Sequence, residues 1–75
     1  MKIKIHYCAQ WNYRPEAVSL AAELANDLGI EAEMLPAGEG IFDVVLDGQT
    51  IFSKYNVHRF PNTGEIADLV RAIVN

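Results

Sequence analysis

The chain has 75 residues, 51% of them apolar and 21% charged, with a formal net charge of −4. That suits one small globular domain, is too apolar for a disordered chain, and is too acidic for binding nucleic acid through its phosphates. No apolar run approaches the ~18 residues of a membrane-spanning helix, and a single cysteine excludes an internal disulfide and an ordinary cysteine-based zinc site.

Residues 2–7 alternate. Ile3, Ile5 and Tyr7 fall on one side, Lys2, Lys4 and His6 on the other, which predicts a strand with one buried face. The same alternation leaves no continuous apolar segment of the kind a secretory signal needs, so the expected compartment is the cytoplasm. From residue 14 to 28, Ala17, Leu20, Ala21, Leu24, Ala25 and Leu28 recur at helical spacing. Pro15 fits a first helical turn and biases Arg14 away from helical dihedrals, favouring a start at Pro15. Asn12 is the better cap by side chain. Gly29 is expected to end the helix in a left-handed conformation.

Residues 30–35 read as a second strand. A strand, a helix and a strand in succession form a right-handed crossover, so the two strands are expected to be parallel neighbours. Lys2 and Lys4 then face Glu31 and Glu33 across the open side of the sheet, in pairs worth ~0–1 kcal/mol each. After a loop over 36–40, Ile41 to Leu46 and Thr50 to Lys54 form a hairpin around Asp47-Gly48, whose residues tolerate positive φ. Phe42, Val44 and Leu46 are expected to point at the helices, Ile41 and Val45 at the open face. Residues 55–60 read as a connecting loop. Asn62 is expected to cap a last helix with Glu65 reaching back, and Ile66, Leu69, Val70, Ile73 and Val74 give that helix one apolar side.

This order, β-α-β-β-β-α, predicts a single α/β domain over 1–75, of α+β two-layer form. Its four-stranded mixed sheet has the order 2-1-3-4, and both helices cover one face. A thioredoxin-like core without its middle helix has this layout.

The stretch that carries chemistry is Tyr7-Cys8-Ala9-Gln10-Trp11-Asn12-Tyr13. Cys8 stands where the first strand bends into the first helix, and N–H groups opening a helix favour a thiolate. On this reading Cys8 is a nucleophile reachable from solvent, with His6 or Arg14 supplying positive charge; the other reading of Cys8 is a small, inert, partly buried side chain. The position three residues on, where a second cysteine would resolve a mixed disulfide, is Trp11. Trp11 reads either as a core or lid residue shielding Cys8 or, with Tyr13 nearby, as an exposed aromatic of the sort that anchors protein contacts, the exposed reading being favoured. Lys54, His58 and Arg59 make a small basic cluster in an acidic chain. It reads as a solvated loop, or as a surface for an acidic partner or the carboxylates of glutathione. A metal site built from His6, Cys8 and His58 has no supporting spacing.

The chain resembles the selenoprotein W-like Rdx family, small proteins of thioredoxin-like fold, along nearly its whole length. The resemblance rests on five pieces in order. These are Tyr7-Cys8 with Asn12-Tyr13, then Gly40-Ile41-Phe42-Asp43-Val44, Asp47-Gly48, Phe52-Ser53-Lys54 and Arg59-Phe60-Pro61. The family's hallmark is Cys-x-x-Cys, or selenocysteine at the second site. The resemblance implies thiol redox chemistry with Cys8 as the first cysteine, no bound cofactor, and glutathione as an external thiol. Trp11 cannot be carried over as a redox group. Glu39 and His58 stand where glycine is expected in relatives.

Two functions therefore compete, and the first is favoured because the thiol and its flanking residues persist in a recognisable frame. In one, Cys8 is a monothiol redox group, a thiol oxidoreductase without a resolving cysteine, acting on a thiol or disulfide substrate. In the other, the turn is a contact surface of Trp11 and Tyr13 in a non-catalytic protein-binding module. The open sheet face, with Ile41 and Val45, is a further candidate surface for self-association. Neither nucleic acid nor membrane is an expected partner.

Overall fold

A computed structural model describes residues 1–74. In chain order the elements are β1 (Ile3–Cys8), α1 (Arg14–Leu28), β2 (Glu33–Ala37), β3 (Phe42–Leu46), β4 (Gln49–Ser53), α2 (Lys54–Val57) and α3 (Glu65–Val74). The sheet order is β2-β1-β3-β4, as the crossover argument predicts. β1 pairs parallel with β2 and antiparallel with β3, and β3 pairs antiparallel with β4.

The alternation along β1 sets the layers. Ile3, Ile5 and Tyr7 are buried and join Phe42, Val44, Leu46 and Phe52 from the other strands. Ala17, Leu20 and Leu24 of α1 and Ile66, Ala67 and Val70 of α3 close over them, so both long helices lie on one side of the sheet. Lys4, His6 and Val45 are half-buried on the other side, lining a shallow hollow with Lys2, Asp47 and Gly48.

Local signals explain most element ends. Gly29 terminates α1 at φ +66°, its N–H turned back to the Ala25 carbonyl at 3.0 Å while the Ile30 N–H reaches the Leu24 carbonyl at 3.5 Å. Asp47 and Gly48 both adopt positive φ, +49° and +85°, which a two-residue hairpin turn requires. Glu65 accepts a hydrogen bond from the backbone N–H of Asn62 at 2.9 Å, the expected reach-back. The helix itself opens at Gly64, whose carbonyl receives the Asp68 N–H at 3.0 Å, rather than at an Asn62 side-chain cap. The Gly64 N–H donates to the Glu23 carboxylate, placing negative charge from α1 at the start of α3, where the helix dipole favours it.

Four expectations are corrected. α1 spans the expected residues 14–28, but its first residue is Arg14 rather than the favoured Pro15, and Asn12 does not cap it: Asn12 lies at φ +61° and no side chain caps the helix. β2 runs Glu33–Ala37, later than residues 30–35, and includes Pro36. Proline is tolerated there because β2 is an edge strand, whose outward N–H has no ladder partner. The register therefore sets Lys4 beside Glu33, and Glu31 lies outside the strand. Lys2 instead uses its backbone N–H, bonded to Asp47 Oδ1 at 2.8 Å, and neither expected lysine–glutamate ion pair is among the salt bridges of the described residues. Finally, residues 54–57, expected as strand end and loop, form the single helical turn α2, closed by His58 at φ +62°.

Candidate functional site

The site is the end of β1 and the turn that follows it. Cys8 is the last residue of β1, beside Ala37 of β2, and its N–H donates to the Ile41 carbonyl at 2.7 Å on the other flank. The chain then folds back on itself. Asn12 N–H donates to the Ala9 carbonyl at 3.1 Å, and Tyr13 N–H to the Cys8 carbonyl at 2.9 Å. Trp11 N–H donates to Cys8 Sγ at 3.2 Å. Enclosed by both neighbours and its own turn, Cys8 has 0% exposure. It is one of the fully buried side chains of the core.

This corrects the expectation of a thiol reachable from solvent. A backbone N–H does meet the sulfur, but it belongs to Trp11 in the turn before α1 and is not one of the N–H groups that open the helix. The helix-opening argument does not specify access, and access depends on how tightly the turn folds back over the strand end. The suggested cationic helpers are elsewhere. His6 points into the hollow of the open face with Lys2 and Lys4, and Arg14 lies on the exposed start of α1 beside Asn12, Pro15 and Val18. Trp11 N–H is the hydrogen-bond partner of Sγ among the described residues. No group of three or more metal-ligating side chains comes together among those residues.

Trp11, by contrast, is 53% exposed. Its six-membered ring lies against Gly40. A Cβ at Gly40 would come within 3.0 Å of Trp11 Cζ3 and 3.1 Å of Tyr55 Oη, and Gly40 itself sits at φ +70°. Both the backbone conformation and the close approach of two aromatic side chains call for glycine here. Tyr55 is also exposed, and its hydroxyl donates to the Glu39 carbonyl at 2.6 Å, tying α2 to the loop before β3.

An edge-to-face chain of rings runs inward from this point. Trp11 meets Tyr13 at 6.2 Å between centroids, Tyr13 meets Phe60 at 4.8 Å, and Phe60 meets Phe42 at 5.2 Å. The innermost, Phe42, is fully buried, so the exposed tryptophan is connected through packed aromatics to the core. Lys54 Nζ lies 5.4 Å from the Tyr13 ring centre and 5.3 Å from that of Phe60. Arg59 is used differently. Its guanidinium holds the Glu65 carboxylate in two hydrogen bonds, at 2.6 and 3.0 Å, and lies over the Phe52 ring. That grip, with the Asn62 N–H, holds the Glu65 carboxyl down to about 2.

Tyr55 and α2 were missed as parts of the site by sequence reasoning. The usable signal was His58, a non-glycine residue at a position where relatives are expected to carry glycine. A left-handed residue there ends a helical turn, and that turn presents Lys54 and Tyr55.

The chain matches the model of the Rdx family over residues 2–72. It is 34% identical to selenoprotein W of Danio rerio over 62 residues, 75% of this chain and 72% of that protein. It is 28% identical to the protein of Bos taurus named migration and invasion enhancer 1, over 76 residues. The chain spans 66% of that bovine protein and 64% of its Mus musculus counterpart, just under two thirds of either. Among solved structures, a selenoprotein W-related protein of Vibrio cholerae superposes with a TM-score of 0.91 at 25% identity, covering 99% of this chain and 96% of the other.

Proposed function

The chain belongs to the Rdx family, and from that premise we propose that it is a thioredoxin-like protein-binding module whose former redox turn is a contact surface built on Trp11 and Tyr13. The observation that carries this reading is a contrast within one turn: Cys8 has no exposure, whereas Trp11, at the second cysteine's place, is half exposed. Nucleophilic attack on a disulfide needs the sulfur to approach along the S–S axis, which an enclosed sulfur cannot do. Exposed aromatic side chains seated on a rigid base are the residues that carry contact energy. The partner is a protein and the compartment the cytoplasm.

The test compares two variants by affinity capture. Proteins retained by the wild-type chain should be kept by Cys8→Ala and lost by Trp11→Ala. Retention that depends on Cys8 and ignores Trp11 overturns the reading.

A second reading has its own support, the Trp11 N–H aimed at Sγ. An N–H in that position stabilises negative charge on sulfur. In this reading the turn opens and the Cys8 thiolate attacks the glutathione sulfur of a substrate–glutathione mixed disulfide. That forms a Cys8–glutathione disulfide and expels the substrate thiolate. A free glutathione thiolate then attacks the adduct, restores the Cys8 thiolate and leaves as oxidised glutathione, so the substrate is reduced and glutathione oxidised. Intact mass after native exposure to oxidised glutathione decides it. A single adduct supports it, and adduction only after unfolding removes it.

A further inference from the structure

We propose that the Trp11 surface selects acidic partner segments, with Lys54 as the residue that reads the charge. The inference rests on the binding-module reading and adds the chemistry of the partner to it.

The argument starts from where the positive charges go. The chain has 6 lysine and arginine residues against 10 aspartate and glutamate. Arg59 is engaged by Glu65 and Arg71 by Asp68. Lys2, Lys4, Arg14 and Lys54 are in neither pair, with no carboxylate within ion-pair distance among the described residues, and of these four Lys54 is the one set against the aromatic rings. Its ammonium group is held over ring faces instead, 5.4 Å from the centre of Tyr13 and 5.3 Å from that of Phe60. Aromatic faces attract a cation without neutralising it, so the positive charge is fixed in place and remains available.

That fixed charge adjoins the exposed aromatics. Tyr13 contacts both Lys54 and Trp11, and Trp11 and Tyr55 converge on Gly40. The surface is therefore two exposed rings, Trp11 and Tyr55, flanked by a lysine that has no acidic partner, on a chain that is otherwise net acidic. An extended peptide with an aromatic side chain between carboxylates is complementary to it: the ring stacks and a carboxylate meets the ammonium. The net negative charge of the chain disfavours nonspecific capture of such a segment over its acidic surface.

Three capped peptides test the inference: Ala-Glu-Phe-Glu-Ala, Ala-Gln-Phe-Gln-Ala and Ala-Lys-Phe-Lys-Ala, titrated against the full chain with tryptophan fluorescence as readout. The expected result is that the glutamate peptide binds about fivefold tighter than the glutamine peptide, the size of one exposed ion pair, with the lysine peptide weakest. Lys54→Met should abolish that preference, and Lys54→Arg should keep it. A preference that survives Lys54→Met, or equal binding of all three peptides, overturns the inference. If all three bind equally and Trp11→Ala removes them all, charge selection fails while the contact surface stands. If captured proteins depend on Cys8 rather than Trp11, the binding-module reading itself fails.

Discussion

The backbone N–H of Trp11 donates to Sγ of Cys8 at 3.2 Å, so the residue at the second cysteine's place is itself the sulfur's hydrogen-bond partner. Replacing Cys8 tells whether that bond or simple burial matters. Serine keeps a γ atom that accepts from the Trp11 N–H, and alanine removes both the γ atom and the acceptor. A net hydrogen bond is worth about 1 kcal/mol, which in a domain of this size shifts Tm by roughly 4–8 °C. We therefore expect Cys8→Ser to melt above Cys8→Ala by about that interval. The opposite order, measured by thermal denaturation, would mean that Cys8 acts purely as a buried apolar group.

Gly40 joins the turn to the rest of the site. At φ +70° an alanine costs about 1–2 kcal/mol in backbone strain. Its Cβ would also press on Trp11 Cζ3 and Tyr55 Oη. Gly40→Ala should lower Tm by at least about 4 °C and shift Trp11 emission as the ring is displaced. An unchanged melt and spectrum would show that the ring does not rest on Gly40.

Glu65 gives the domain an acid-sensitive contact away from the turn. Hydrogen bonds from Arg59 first, then from the Asn62 N–H, lower its carboxyl from 4.5 to about 2. A folded-state value below the unfolded one adds stability that is fully present above ~4.5 and is lost as the pH falls towards 2. Glu65→Gln should lower Tm at pH 7 and reduce the slope of Tm against pH between 4.5 and 2. A variant with the wild-type acid slope would show that the Arg59–Glu65 pair does not form in solution.

The fold was legible in the sequence because each major element carries its own signal. The period-two pattern of Ile3, Ile5 and Tyr7 fixed which face of β1 is buried, and Gly29 and Asp47-Gly48 marked a helix end and a hairpin whose positive φ values are observed. β2 was harder. Ala32 and Met34 suit an earlier register, and Pro36 reads as a breaker until β2 is known to be an edge strand. At the site, the exposure of Trp11 and the burial of Phe42 followed from local position and spacing. The burial of Cys8 did not, because the strand end is flanked by Ala37 and Ile41, about thirty residues away in the chain, and local sequence does not show how the turn closes there. Lys54 over Tyr13 and Phe60 is likewise a contact between distant segments, invisible to periodicity.

The enclosure of Cys8 is measured most directly by its alkylation rate with iodoacetamide, native against urea-unfolded, at one pH. The account predicts a native rate at least about 100-fold slower, set by rare opening of the turn. A native rate equal to or faster than that of the unfolded chain would contradict it and return the sulfur to the role of a working nucleophile.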